Sequence, residues 1–193
     1  MRFAKALLLS SLLVLPVVAE PKIPRQAPEF AVMLPQGGQQ LLSQHRGKVV
    51  VLEFLYTTCV HCQNSARLLT RLQNEYGPRG LQVVGVGFND MAKMLVPDFA
   101  RTFGTNFPVG FSTREPVQAF LQIPADEMVH VPQLVLIDRK GMIRHQSLPR
   151  GDAQTGTESF LRANIEKLLA ESTAGATKTS SKPAGAKTQK KTT

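Results

Sequence analysis

Apolar positions along the chain fall into continuous runs and into spaced repeats, and the two kinds alternate. Ala27–Val32 alternates and predicts a short strand, followed by a turn at Gln36-Gly37-Gly38-Gln39. Lys48–Tyr56 is a near-continuous apolar run rich in β-branched residues, the pattern of a central strand covered on both faces. Leu68, Leu69, Leu72 and Tyr76 then follow helical spacing and are stopped by Gly77-Pro78. Leu81–Gly87 predicts a second buried strand. Leu95, Phe99 and Phe103 recur every four residues ahead of Gly104, and Pro97 is assigned to the first position of that helix. A short helix is expected around Pro116–Leu121. Val131–Asp138 reads as a strand that Arg139-Lys140-Gly141 turns back into Met142–Leu148, a hairpin. Thr155-Gly156-Thr157-Glu158 fits a capping box opening a last helix, with Phe160, Leu161, Ile165, Leu168 and Leu169 inward.

Strands separated by helices imply parallel pairing, and the late hairpin implies an antiparallel edge. The fold class is therefore α/β: a central mixed sheet flanked by helices, with a short N-terminal β extension. Residues 20–172 form one domain, long enough to bury roughly two thirds of the surface of its chain.

Composition changes the picture at the two ends. The chain has 193 residues, 42% of them hydrophobic, with no Trp and two Cys. This excludes a collagen, a coiled coil and a disulfide-dense scaffold. Met1–Ala19 reads as a signal peptide: Arg2 and Lys5 are the charged start, Ala6–Leu15 the apolar centre, and Val17-Val18-Ala19 the small residues before a cut. It implies export to the periplasm or outside the cell, where thiols meet oxidising conditions. Residues 173–193 hold five Lys, no acid and no large apolar residue. They are expected to be disordered, with a weak contact to anionic surfaces as their one chemical opportunity. Of the net charge of +9, only +2 belongs to residues 20–172, so no basic face for nucleic acid is expected on the domain.

The chemistry concentrates at Cys59-Val60-His61-Cys62, between the central strand and a helix. Three readings compete there. A structural disulfide closing so short a loop removes little unfolded-state entropy, roughly 2 kcal/mol against ~3 for a 15-residue loop. A metal site would use Cys59, His61 and Cys62 with His45, His130 or His145 as a further ligand, and soft thiolates suit Cu(I) or Zn. A redox dithiol would place Cys59 at a helix N-terminus, whose aligned N–H groups favour thiolate, with Cys62 one turn on to resolve a mixed disulfide.

Two further residues support the redox dithiol. Glu53 is the one carboxylate inside the apolar strand, six residues before Cys59. Burial there is costly and raises its affinity for a proton, which makes it a candidate proton carrier. Pro132 opens an otherwise good strand although Pro cannot donate to a ladder. A cis Val131–Pro132 bond, at a strand end open to a bound partner, would give it a role.

With these residues in place the chain resembles the thioredoxin superfamily, and within it the exported TlpA-like and ResA-like thiol-disulfide oxidoreductases of the wider AhpC/TSA-like redoxins. The resemblance is carried by Ala27-Pro28-Glu29-Phe30, Gly47–Phe54, Cys59-Val60-His61-Cys62, Phe107-Pro108-Val109, and Val131-Pro132 leading into Leu136–Gly141. It implies a catalytic set of Cys59 as exposed nucleophile, Cys62 as buried resolving thiol and Glu53 as buried acid. It implies a cis-Pro132 facing a Cys59–Cys62 disulfide, with Val131 offering its backbone to the partner. Thr58 replaces the family's usual Trp and joins Val131 and Pro132 as a partner contact. His61 replaces a frequent Pro, and Ser65 and Arg67 replace a common acid and a helix-kinking Pro. The implied partners are cysteine-containing proteins and a membrane or soluble redox protein, and no cofactor is implied. The alternative function is a copper metallochaperone using Cys59, Cys62 and a His.

His61 is the residue expected to tune the potential. Stabilising the Cys59 thiolate stabilises the dithiol and makes the disulfide a stronger oxidant. In families of this fold a His at this position accompanies more oxidising members. The expected potential lies above the roughly −270 mV of thioredoxin, and His61→Pro should lower it by about 30 mV or more. Equilibration with glutathione, read by alkylation of free thiols, measures both; an unchanged potential in the variant removes His61 from the tuning.

Overall fold

The computed structural model describes residues 21–176. The assigned signal peptide, Met1–Ala19, and residues 177–193 of the Lys-rich tail lie outside the described residues. In chain order the elements are β1 (Arg25–Gln26), β2 (Ala31–Met33), β3 (Gln39–Leu41), β4 (Val49–Leu55), α1 (Val60–Tyr76), β5 (Leu81–Gly87), α2 (Ala92–Phe103), β6 (Val109–Phe111), α3 (Arg114–Leu121), β7 (Gln133–Ile137), β8 (Met142–Gln146) and α4 (Glu158–Ala176). The strands form one mixed sheet in the order β1-β8-β7-β4-β5-β6-β2-β3. β4, β5 and β6 run parallel, and β7 lies antiparallel against β4.

Every residue of β4 is buried, which is why its sequence shows no alternation. Val49, Val51 and Leu55 pack with Leu69 and Leu72 of α1 and with Leu161, Ile165 and Leu168 of α4. Val50, Leu52 and Phe54 point the other way, onto Val117, Phe120 and Leu121 of α3. The sheet is thus covered on both faces, and the C-terminal end of β4 stays free to feed α1.

Several expectations are corrected. The strand placed at Ala27–Val32 begins only at Ala31; the Ala27 N–H is already committed to the Gly141 carbonyl at 2.9 Å. β1, β3 and β6 were not anticipated, because two or three residues give no readable period. The hairpin does not form a free edge: β7 sits beside the central strand and β8 is covered by β1. Pro97 is not at the helix start. α2 begins at Ala92, with Met91 before it in a left-handed conformation (φ 60°), so Pro97 lies inside the helix. Pro97 and Lys93 are both exposed, so the Lys93 carbonyl that Pro97 leaves unbonded stays on the solvent side. The cap of α4 is Thr157 rather than Thr155. Thr157 Oγ1 accepts the Phe160 N–H at 3.3 Å, and Glu158 instead bonds Arg71 and Arg162. α4 runs to Ala176, four residues beyond the expected domain end.

Pro97→Ala restores an N–H to the α2 ladder. It should raise the unfolding free energy by about 1–3 kcal/mol. Equilibrium urea unfolding measures it, and a loss of stability would show that the helix depends on the ring.

Candidate active site

Leu55, the last residue of β4, is followed by a turn, Tyr56-Thr57-Thr58, that delivers Cys59 to the start of α1. The turn is clamped from two sides. The Thr57 N–H donates to Asn89 Oδ1 at 2.9 Å, tying it to the loop after β5, and Gln63 Nε2 donates to the Thr57 carbonyl at 3.1 Å, tying it to α1. Cys59 is the N-cap residue, extended at φ −82°, ψ 121°. Its N–H donates to the Tyr56 carbonyl at 3.1 Å, and its own carbonyl accepts the Gln63 N–H at 3.0 Å. Asn89 and Gln63 were not singled out in the sequence. The signal available was Asn89-Asp90 directly after a buried strand, which is turn chemistry.

The two cysteines are both free thiols and are unequal. Cys59 is half-buried, and its sulfur donates to the Val131 carbonyl at 4.0 Å, a long contact. Cys62 is fully buried within the cluster that α1, α4 and the sheet share. The Val131–Pro132 peptide is cis and stands immediately before β7. Val131 and Pro132 are half-buried, while Thr58 and His61 are exposed on either side of Cys59. Cys59 and Val131 are thus brought into contact. Thr58 and His61 surround the exposed sulfur in sequence without a hydrogen bond to it among the described contacts.

Glu53 lies on β4 below this turn, opposite Gly85 of β5 and Leu134 of β7. It is fully buried, and neither carboxyl oxygen has a hydrogen-bond partner. Burial pushes its carboxyl up to about 8; Ser65 on α1 faces it and offsets part of that rise. The Cys62 thiol is pushed far above the ordinary thiol range. Burial is the main cause; negative charge on Glu53 adds to it, against a hydrogen bond with the Tyr56 backbone. Cys62 and Glu53 therefore act on each other directly, and near neutral pH both hold protons.

Of the histidines offered as further ligands, His45 is buried beside Leu42, the His145 ring lies edge-on to Phe160 at 5.3 Å, and His130, next to Val131, is exposed. Among the described residues no three His, Cys, Asp or Glu side chains are grouped to hold a metal ion. The copper alternative has no support in this geometry.

The site thus combines a half-buried sulfur at a helix N-terminus, a buried sulfur one turn on and a buried carboxyl on the strand below. Residues 23–146 match the AhpC/TSA family throughout. The chain belongs to the AhpC/TSA family. A thioredoxin-like protein, YneN of Bacillus subtilis, is 31% identical to it over 123 residues, covering 62% of this chain and 68% of YneN. The thiol-disulfide oxidoreductase ResA of Geobacillus kaustophilus is 29% identical over 143 residues, 74% of each chain. A DsbE-type thiol:disulfide interchange protein of Chlorobium tepidum superposes with a TM-score of 0.65 at 25% identity, over 78% of this chain and 99% of that one. The fold of this AhpC/TSA member is thioredoxin-like.

The raised Glu53 carboxyl has a consequence for stability. The unfolded chain ionises near 4.5, while the folded state keeps its proton to about 8. Stability is thus full below pH 4.5 and is lost as pH rises toward 8. Glu53→Gln should remove this slope and leave the variant more stable at pH 8, by up to about 4 kcal/mol. Urea unfolding at several pH values tests it; equal slopes in both proteins would place a partner on the carboxylate.

Proposed function

We propose that this AhpC/TSA-family protein is an exported thiol-disulfide oxidoreductase that exchanges a Cys59–Cys62 disulfide or dithiol with cysteine-containing proteins. The observation that carries the reading is the unequal burial of two cysteines at one helix start above a protonated Glu53. The oxidoreductase ResA, to which the chain is similar, supports the reaction class.

The proposed exchange runs in two steps. In the reducing direction the Cys59 thiolate attacks a partner disulfide, one partner sulfur leaves, and Cys59 is held in a mixed disulfide. Cys62 then attacks Cys59, the second partner sulfur leaves, and the Cys59–Cys62 disulfide closes. Two electrons pass from the dithiol to the partner. Cys62 loses its proton in the second step, and Glu53, in its ionised form, takes it. The oxidising direction runs the same steps backwards. Val131 and Pro132, beside Cys59, offer backbone to an extended partner segment, with Thr58 and His61 at its margins. Re-reduction or re-oxidation falls to a membrane or soluble redox protein. Met1–Ala19 directs export, residues 20–176 hold the domain, and the tail beyond Ala176 contributes at most a salt-sensitive contact with anionic surfaces.

Cys59→Ser should abolish exchange. Cys62→Ser should instead trap partners as stable mixed disulfides through Cys59, because nothing resolves them. Non-reducing electrophoresis of cell extracts separates the two; adducts on the Cys59 variant and none on the Cys62 variant would reverse the assignment.

A further inference from the structure

The proposed exchange asks Glu53 to gain and lose a proton once per turnover, yet its carboxyl is sealed from solvent. Ser65 stands between that carboxyl and water. It lies three residues after Cys62 on α1, so the two side chains are neighbours on the helix surface that covers β4. Ser65 Oγ is buried with no hydrogen-bond partner, like both Glu53 oxygens. On its other side Ser65 lines a groove of about 410 Å³, open to solvent, whose walls include His61, Asn64, Pro132, Asp152 and Thr157. A hydroxyl with an unused donor and unused acceptors therefore borders both a buried acid and an open groove.

Among the described residues the elements packed around Glu53 present mainly apolar groups, and the Ser147 hydroxyl near them is already engaged by the Leu134 N–H at 3.1 Å. β5 places Gly85 and β7 places Leu134 opposite Glu53. α4 contributes Leu161, Ile165, Leu168 and Leu169 to this face of the sheet. From α1 the titratable group is Cys62, the other party to the transfer.

We propose that the Ser65 hydroxyl is the proton relay between Glu53 and water in the groove beside the redox pair. This rests on the exchange function assigned above. In the resolving step the ionised Glu53 accepts the Cys62 proton as the Cys62 sulfur bonds to Cys59. The Cys59–partner bond breaks, and the partner sulfur leaves with the electron pair of that bond. Glu53 then returns to its ionised form: its proton passes to Ser65 Oγ while the hydroxyl hydrogen of Ser65 passes to groove water. Ser65 ends the cycle as it began, and the proton reaches solvent without the carboxyl being exposed. Ser65 acts through Glu53 and is a positioning residue for the proton.

The test follows the two thiol releases when the reduced protein reacts with dithiodipyridine. Attack by Cys59 releases the first thiopyridone, and resolution by Cys62 releases the second. Ser65→Ala should leave the first release unchanged and slow the second by about a hundredfold, the low end of what a placed proton-transfer group contributes. The midpoint of its pH–rate profile should move up, because the hydroxyl that favours the ionised carboxyl is gone. Ser65→Thr, which keeps the hydroxyl, should restore rate and midpoint. Ser65→Gly makes the same deletion if the alanine protein does not fold. An unchanged second release and midpoint in the folded deletion variant overturn the relay. If Glu53→Gln also resolves at the wild-type rate, the failure lies with the assigned role of Glu53. If Glu53→Gln is slow while Ser65→Ala is not, the relay alone is wrong.

Discussion

A carboxyl with both oxygens unpaired, placed inside the most buried strand of a sheet, has to be kept neutral. Ionised and unpartnered in that setting it would cost several kcal/mol. Glu53 meets this by holding its proton to about pH 8. The neutral state in turn protects Cys62, whose thiolate would face a second negative charge a short way off. The two groups cannot both ionise cheaply, so near neutral pH each keeps its proton and the loss of one holds back the loss of the other. Everything else at this end of the sheet arranges access to that proton and to the sulfur above it.

The access is built from loops that the sheet order brings together. β4, β5 and β7 are adjacent, so the Cys59 turn, the loop at Asn89 and the segment ending in Val131-Pro132 meet at one end. Side-chain amides tie these segments down beside the packing of Tyr56, Cys59 and Val131 on the core. Gln133 Nε2 donates to the His130 and Leu148 carbonyls at 2.8 and 3.0 Å, fixing the approach to Pro132. Gln118 on α3 donates to the carbonyls of Pro124, Ala125 and Glu127, fixing the loop before it. Side-chain amides can satisfy loop backbone groups that have no ladder partner, which is why buried glutamines gather where strands end.

The parts of this structure legible in the sequence are those with a long period or a sharp chemical oddity. β4 and β5 were read almost to the residue, because burial on both faces leaves nothing but apolar side chains. The Cys59–Cys62 spacing and the isolated Glu53 were visible for the opposite reason, as groups that do not belong where they stand. β1, β3 and β6 were not visible, since their pairing is decided by where the rest of the sheet ends. Pro97 was misplaced because the start of α2 depends on Met91 adopting a left-handed conformation, which no side-chain pattern announces. Thr155 and Thr157 compete for one cap, and Asp152 decides between them by taking the Thr155 N–H. Asn89, Gln63 and Gln133 carry no signal of these bonds in the sequence, because an amide that bonds loop backbone looks like any surface amide until its neighbours are known. Ser65 was noticed only as a departure from a family pattern; its place over Glu53 comes from the turn of α1.

The order of proton affinities also sets the timing of exchange. Cys59 can attack a partner without disturbing the buried pair, since its sulfur lies half-exposed at the helix start. Resolution is different: Cys62 must lose a proton that burial and Glu53 both hold in place. At pH 7 a carboxyl that titrates near 8 is ionised in only about a tenth of molecules, so few carry a base ready for the second step. In the proposed exchange the second step is therefore the one that protonation of Glu53 holds back. A carboxyl in water, ionised throughout this range, would impose no such delay. On the proposed exchange, the stability that the buried Glu53 gives up at higher pH is tied to a pH-dependent brake on release of the partner.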